Sequence, residues 1–201
     1  MNATYRGSIT SPTLAKLREA GDAIERVEGC LSGTLGFLMQ RLDDDAPFSQ
    51  AVAEAHERGY TEPDPRDDLS GKDAARKALI LARELGLSLD LADVVVEPFV
   101  PESLFVHDDV EQFLSAVKGY DQVFEERVTR LREERRVLRY LATVDPGDTS
   151  RAPTVHVAAV GVPLDHPAAR LRGTEALVAF TTDRYSEYPL VIQGAGAGGA
   201  V

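Results

Sequence analysis

The order in which secondary-structure patterns follow one another constrains the fold of this chain more than any other feature of its sequence. Helical periodicity dominates the earlier part, and short runs rich in β-branched residues dominate the later part. Helices followed by strands are typical of α+β folds, in which helices cover a sheet. We therefore predict an α+β fold, with a mixed, largely antiparallel sheet and helices packed on one face. Residues 1–201 are predicted to form a single domain.

Capping residues and apolar stripes place the individual elements. Ser32 is a suitable N-cap, and Gly59 is a suitable C-cap. Ser70 and Asp73 have the spacing of a capping pair at the start of a later helix. The predicted helices span residues 11–20, 32–42, 48–58, 70–85 and 108–135, and the predicted strands span residues 23–28, 94–100, 137–144, 154–160, 176–182 and 190–193.

Composition excludes several classes of protein. Hydrophobic residues make up 43% of the 201 positions, which is enough for a substantial core. The formal net charge of −11 argues against nucleic acid or an anionic membrane as a partner. Cys30 is the sole cysteine, so neither an intramolecular disulfide nor a thiolate zinc site is predicted. The sequence shows no metal-ligand spacing, apolar span or signal peptide, and we predict a cytoplasmic protein.

Residues 59–77 form an acidic segment, which we interpret as a candidate site. Its loop holds four carboxylates next to two prolines, and it leads into a helix that carries Asp73 and Lys77. Those two residues are four apart and share a helix face. An isolated pair of this kind is usually a surface ion pair worth ~0.3–0.5 kcal/mol. Prolines that fix the preceding acids favour a binding site instead. The four loop acids are Glu62, Asp64, Asp67 and Asp68.

Carboxylates gathered around one lysine suit a small ligand that bears an ammonium group. The carboxylates accept its three donors, and the lysine can exchange a proton with a ligand oxygen. Spacing alone does not settle which acids contact the ligand. An acidic metal-binding loop is an alternative, although the spacing differs from that of a regular calcium loop.

Two glycine-bearing segments are further candidates. Residues 29–34 lie between a predicted strand and a predicted helix, where a turn could approach a cofactor or simply connect the two elements. Residues 194–199 satisfy G-x-G-x-x-G, but neither a following helix nor a later acid completes the dinucleotide pattern. A complete nucleotide fold is excluded on these grounds, while a turn that touches a cofactor held elsewhere stays open.

Residues 29–34, 59–71, 73–77 and 190–198 together resemble homoserine dehydrogenase. The resemblance spans roughly residues 13–201 and is greatest to the form that is fused to aspartate kinase. It implies NADP- or NAD-dependent interconversion of L-homoserine and L-aspartate 4-semialdehyde, in threonine and methionine biosynthesis.

The resemblance also implies roles for individual residues. Lys77 would be the catalytic acid–base group on the substrate oxygen. The implied substrate-binding residues are Tyr60, Glu62, Asp68 and Asp73, and the implied cofactor-binding residues are Thr34, Gly59, Gly196 and Gly198.

Three features of the family are not found in this sequence. They are the N-terminal nucleotide-binding domain with its second active-site lysine, the helix after the C-terminal glycine loop, and the glycine-rich cation-binding stretch, which is not recognisable in residues 5–11. We therefore expect a substrate-binding and dimerisation domain that forms a homodimer and is inactive alone. A non-catalytic amino-acid-binding or dimer-partner module is the alternative.

Overall fold

The structure is a computed structural model that describes residues 10–195. Its centre is one sheet, whose strands are β1 (Ile24–Cys30), β2 (Val94–Val96), β3 (Arg136–Asp145), β4 (Thr154–Pro163), β5 (Glu175–Thr182) and β6 (Leu190–Ala195). The strand order is β2-β4-β3-β1-β5-β6. Every neighbouring pair is antiparallel except β2 and β4, which are parallel. The predicted mixed, largely antiparallel sheet is confirmed.

Helices cover one face of this sheet. They are α1 (Thr10–Glu19), α2 (Gly33–Asp43), α3 (Phe48–Glu57), α4 (Pro65–Leu69), α5 (Lys72–Glu84), α6 (Val110–Val117) and α7 (Asp121–Glu133). The helices α2, α5 and α7 contact the central strand β3, and α3 packs on α2. The predicted α+β fold is therefore confirmed.

Alternation along the strands separates two cores. On β3, Leu138 and Tyr140 face the helices and join the larger core, because successive side chains of a strand point to opposite faces. Leu141 points to the other face and joins a smaller cluster with Cys30 and Leu177. A 3-10 turn, Pro167–Arg170, lies over that second face and contacts β3 and β4.

Two predicted elements are shorter than the sequence suggested. The predicted helix over residues 108–135 is wrong, because a 3-10 turn at Lys118–Tyr120 separates α6 from α7. Gly119 lies in that turn, and glycine disfavours a helix interior. The predicted strand over residues 94–100 ends at Val96, because Pro98 has no N–H to donate to a neighbouring strand.

The start of α5 differs from the prediction in two ways. The loop before it contains the short helix α4, which begins with Asp64 as N-cap and Pro65 in its first turn. The predicted capping pair of Ser70 and Asp73 is wrong, since the N-cap of α5 is Gly71 at φ 71°. A Cβ on Gly71 would lie 1.9 Å from the hydroxyl oxygen of Tyr140. Only glycine fits this junction, because both its backbone angle and its surroundings exclude a side chain.

The described part of the chain has neither a helix suited to a membrane nor a cluster of metal ligands. Within residues 10–195, no helix is long and apolar enough to cross a membrane. Over the same range, no group of three or more His, Cys, Asp or Glu side chains is placed to hold a metal ion.

Candidate functional site

The candidate site lies where two segments that are distant in the sequence meet. One is the turn from β1 into α2, and the other is the acidic segment. Lys77 on α5 reaches the carbonyl oxygen of Leu31, and Asp68 on α4 reaches the hydroxyl of Thr34. Each segment was singled out in the sequence for its own pattern. The fold joins them into one site.

Lys77 is held between two oxygen acceptors. Its Nζ donates to the carbonyl oxygen of Leu31 at 2.9 Å and lies 2.7 Å from the carboxylate of Asp73. A lysine ammonium has three donors. Within residues 10–195 the third donor has no acceptor. The side chain is 24% exposed, so the amine is fixed in position and still has one donor for a ligand oxygen.

Asp68 is a half-buried carboxyl on α4 with a partner on each oxygen. Its Oδ2 accepts a hydrogen bond from the backbone N–H of Glu62 at 2.8 Å, and its Oδ1 lies 2.8 Å from Oγ1 of Thr34. Burial raises the pKa of Asp68, and the carboxylates of Glu62 and Asp73 add to the rise. The two hydrogen-bonding partners act in the opposite direction.

Glu62 presents an open carboxylate next to Asp68. Its backbone is fixed, because its N–H donates to Asp68 and its carbonyl oxygen accepts from the hydroxyl of Thr61 at 2.7 Å. Its side chain is exposed, and across the described residues it makes no hydrogen bond or ion pair. Because its backbone is fixed and its carboxylate is unpaired, Glu62 is suited to bind a cationic group of a ligand.

Gly59 and Tyr60 connect the end of α3 to the site. Gly59 has φ 69° and donates its N–H to the carbonyl oxygen of His56 at 3.0 Å, while the Tyr60 N–H donates to that of Ala55 at 2.9 Å. These two bonds close a Schellman motif in which Arg58 is the C-cap and Gly59 is the left-handed residue after it, so the helix ends one residue earlier than the predicted C-cap implies. Tyr60 as a residue is 41% exposed, and its ring packs edge-on against Phe37.

Thr34 lies in the first turn of α2, below the N-cap Ser32 that the sequence predicted. The residue is 8% exposed, and its Oγ1 lies 2.5 Å from the carbonyl oxygen of Tyr60. Its hydroxyl therefore points into the protein and is engaged there. A cofactor contact through the rest of the residue stays a prediction. Gly196 and Gly198, the other predicted cofactor residues, lie outside the described residues.

Within residues 10–195, two acids of the segment form no side-chain hydrogen bond or ion pair with the other residues of the site. Asp64 caps α4 and pairs with Arg66 at 2.6 Å, and Arg66 also donates to the carbonyl oxygen of His107. Asp67 is exposed, and its carboxylate accepts no hydrogen bond from residues 10–195. Of the acids in the segment, Glu62, Asp68 and Asp73 therefore remain as candidate ligand contacts.

Sequence reasoning missed one component of the site, the carbonyl oxygen of Leu31. Its contact with Lys77 joins residues 46 positions apart. The turn that contains Leu31 was noted, but nothing in a backbone carbonyl marks it as the partner of a distant lysine. Only the packing of α5 beside the β1–α2 turn brings the two together.

The described residues form an α+β fold that places Lys77 among carboxylates. The family profile described as homoserine dehydrogenase matches residues 11–201. The chain belongs to the homoserine dehydrogenase family.

Similar sequences include fused and separate enzymes. The chain is 43% identical over 189 residues to bifunctional aspartokinase/homoserine dehydrogenase 2, chloroplastic, of Zea mays, covering 94% of this chain and 20% of the relative. It is 41% identical to the bifunctional aspartokinase/homoserine dehydrogenase of Haemophilus influenzae, covering 94% and 22%. It is 38% identical to the homoserine dehydrogenase of Paracoccidioides brasiliensis, covering 94% and 52%. The chain thus spans between a fifth and about half of these relatives.

Solved structures share the fold. A crystal structure of a protein of unknown function from Candida auris matches with a TM-score of 0.84 and 38% identity, over 93% of this chain and 52% of that one. A homoserine dehydrogenase from Thiobacillus denitrificans matches with a TM-score of 0.72 and 25% identity, over 93% and 38%.

Proposed function

We propose that this chain is the substrate-binding domain of a homoserine dehydrogenase and holds L-homoserine or L-aspartate 4-semialdehyde. The proposal rests mainly on Lys77. Its amine is held by Asp73 and by the Leu31 carbonyl, and one of its three donors is unused. Family membership supplies the two substrates. The enzyme would act in the aspartate pathway, which leads to threonine and methionine.

The acids and the lysine would divide the work on the substrate. Glu62, Asp68 and Asp73 would accept hydrogen bonds from its ammonium group, since ionised carboxylates only accept. Lys77 would exchange a proton with the oxygen on the reacting carbon. It would donate to the aldehyde oxygen in one direction and accept from the alcohol in the other. The Leu31 carbonyl would keep the amine in place during both steps.

The reaction also needs NADP or NAD, which supplies or accepts the hydride when it is bound. Gly59 fits a role beside that cofactor, because it is exposed and nothing lies within 4 Å of where its Cβ would be. Thr34 and Gly59 would face the cofactor, and the resemblance assigns a cofactor contact to Gly196 and Gly198 as well. Which of the two dinucleotides is used would depend on residues that contact its adenosine end.

Binding of L-homoserine tests the proposal directly. We expect the ligand to raise the melting temperature of the chain, because a ligand at 100 times its Kd stabilises the folded state by about 2.7 kcal/mol. The response should vanish in Asp73→Ala. Asp67→Ala is the matched control, since Asp67 is an exposed acid of the same segment and should leave the response intact. Equal responses in the two variants would show that the site is assigned wrongly.

We also infer that the chain by itself does not transfer hydride. Within residues 10–195 the one parallel strand pair is β2–β4, whereas a dinucleotide fold is built from successive parallel strands. The expected result is no turnover of L-homoserine with NADP⁺ or NAD⁺ by the purified chain. Ordinary turnover would refute this part of the proposal.

A homodimer formed through the sheet completes the proposal. The second face of the sheet carries the half-buried residues Val137, Val160 and Val191 beside the smaller core. Light scattering on the chain should give twice the monomer mass, and Val160→Asp should reduce the measured mass to that of the monomer.

A cytoplasmic location is also part of the proposal. The alternative compartment is the chloroplast, which the name of the maize relative specifies.

A further inference from the structure

Three oxygen atoms in the site form two short contacts, but the hydroxyl between them has one proton for both. Oγ1 of Thr34 lies 2.5 Å from the carbonyl oxygen of Tyr60 and 2.8 Å from Oδ1 of Asp68. A carbonyl oxygen and an ionised carboxylate oxygen can only accept, and the threonine hydroxyl has a single proton to donate. If Asp68 were ionised, one of these two short contacts would place lone pair against lone pair.

A proton on Asp68 resolves the conflict. Oδ1–H would then donate to Oγ1 of Thr34, and the Thr34 hydroxyl would donate to the carbonyl oxygen of Tyr60. Oδ2 would still accept from the Glu62 N–H, as observed at 2.8 Å. Each group in this series of hydrogen bonds, from the Glu62 N–H through the Asp68 carboxyl and the Thr34 hydroxyl to the Tyr60 carbonyl, then has a partner, as half-buried polar groups require.

The charges around Asp68 favour the same state. Glu62 on the loop and Asp73 on α5 both raise the pKa of Asp68, as burial does more strongly. Lys77 and Arg66, two cations of the same segment, are paired with other acids, Lys77 with Asp73 and Arg66 with Asp64. From α2, the residue bonded to Asp68 is the uncharged Thr34.

We propose that Asp68 is a neutral carboxylic acid in the ligand-free site and releases its proton to solvent when an ammonium group binds. An ammonium N–H that donates to Oδ1 replaces the acid proton as its donor, and the ionised Oδ1 then turns away from its 2.8 Å contact with Oγ1 of Thr34 and towards the ligand. Thr34 is a positioning residue in this scheme, since its hydroxyl ties Asp68 on α4 to the Tyr60 carbonyl on the loop. The inference rests on the proposed function for the identity of the ligand.

Proton release makes binding depend on pH. Below the pKa of Asp68, a ligand that displaces one proton binds tenfold more tightly for each unit by which the pH rises. Titration calorimetry of L-homoserine in two buffers with different ionisation enthalpies counts the protons released. We expect about one per ligand at acidic pH, falling towards zero as the pH rises, and none in Asp68→Asn. Equal release by wild type and Asp68→Asn would overturn the proposal.

A second measurement needs no ligand. Asn in place of Asp68 puts an amide N–H where the acid O–H would be, so Asp68→Asn mimics the neutral state. Wild type holds this proton in the folded state above the unfolded pKa of about 3.9 and therefore loses stability as the pH rises. The melting temperature of Asp68→Asn relative to wild type should rise between acidic and neutral pH. A difference that is constant, or that falls over this range, would contradict the proposal.

Thr34 variants separate the positioning role from packing. Thr34→Val keeps the shape of the side chain and removes the hydroxyl that contacts Asp68. The dependence of the melting temperature on pH should therefore change. Thr34→Ser should restore the wild-type profile.

An infrared band of a protonated carboxyl, present in wild type and absent in Asp68→Asn, reports the proton directly. The absence of that band from the wild-type spectrum would refute the assignment.

The calorimetric titrations and the melting temperatures together separate this inference from the proposed function. If L-homoserine does not bind but the melting temperatures follow the expected trend, the ligand is wrong and the neutral acid stands. If L-homoserine binds without proton release and the melting temperatures show no trend, the neutral acid is wrong and the proposed function stands.

Discussion

At the scale of single residues, environment divides chemically similar side chains into different roles. Asp64 and Asp68 lie four positions apart, yet Asp64 caps a helix and pairs with Arg66, while Asp68 is bonded to the Glu62 N–H and the Thr34 hydroxyl. Arginine beside Asp64 lowers its pKa, whereas burial raises that of Asp68. Neighbours, not residue type, therefore decide which acid is available to a ligand.

Lys77 gives a residue-scale prediction for ligand binding. Lys77→Met removes the unused donor, and we expect L-homoserine to bind about tenfold more weakly, in line with ~1.5 kcal/mol for one hydrogen bond to a charged group. Calorimetric titration measures the change. Lys72→Met is the matched control, because Lys72 is exposed at the start of the same helix. Equal losses of affinity in the two variants would contradict the role of Lys77.

Arg139 gives a residue-scale prediction for stability. Its side chain is 3% exposed and pairs with Asp43 at 2.9 Å, and its guanidinium also donates to the carbonyl oxygens of Ala168 and Ala169. Arg139→Leu leaves the half-buried Asp43 without its ion-pair partner and should cost about 3 kcal/mol in the free energy of unfolding. Chemical denaturation measures this cost. Arg136→Leu, at an exposed position of the same strand, should cost about 1 kcal/mol.

At the scale of elements, the junction between α4 and α5 sets the geometry of the site. Gly71 makes the turn that lets α5 start immediately after α4, and Tyr140 of β3 fills the space beside it. The hydroxyl of Tyr140 in turn donates to the carbonyl oxygen of Glu97 at 2.7 Å. This junction fixes Asp68 on one helix relative to Asp73 and Lys77 on the next.

Gly71→Ala tests that junction. The added Cβ meets Tyr140, and the left-handed backbone angle is unfavourable for alanine, so we expect a loss of about 3 kcal/mol in the free energy of unfolding. Denaturant titration gives the value. Gly119→Ala is the control, since nothing lies within 4 Å of its Cβ position, and its stability should match or slightly exceed wild type. An equal loss in both variants would show that the tight fit at Gly71 does not matter.

At the scale of the whole molecule, the two faces of the sheet carry different interactions. The helix-covered face holds the larger core and borders the site. On the second face, Nε2 of His166 lies 3.5 Å from the carboxylate of Glu28, and this contact ties the 3-10 turn to β1. The hydrogen bond from His166 lowers the pKa of Glu28, against the effect of burial.

The response of the molecule to acid follows from Glu28. Because its pKa is lower in the folded protein, its stabilisation is fully present above the unfolded pKa of about 4.3 and is lost as the pH falls below it. Glu28→Gln should therefore be about 1 kcal/mol less stable than wild type at neutral pH. The two proteins should converge at acidic pH. Urea titrations at both pH values check this, and a gap that is independent of pH would contradict it.

The sequence by itself determined the fold class, most helix and strand positions, and the acidic segment. Caps such as Ser32 and Gly59 and the alternation along β3 act over a few neighbouring residues, so local pattern is enough to identify them. The break at Lys118–Tyr120 and the helix α4 were missed, although Gly119 and the pair Asp64–Pro65 were visible local signals.

Only the tertiary structure decided how the acids and the lysine are used. The bond from Lys77 to Leu31 and the contact between Asp68 and Thr34 join residues 46 and 34 positions apart. Such contacts depend on how α2, α4 and α5 pack beside the sheet, and no local pattern encodes that packing. The sequence therefore specified which chemical groups are present, whereas packing selected their partners, because a side chain's protonation and reach depend on what surrounds it.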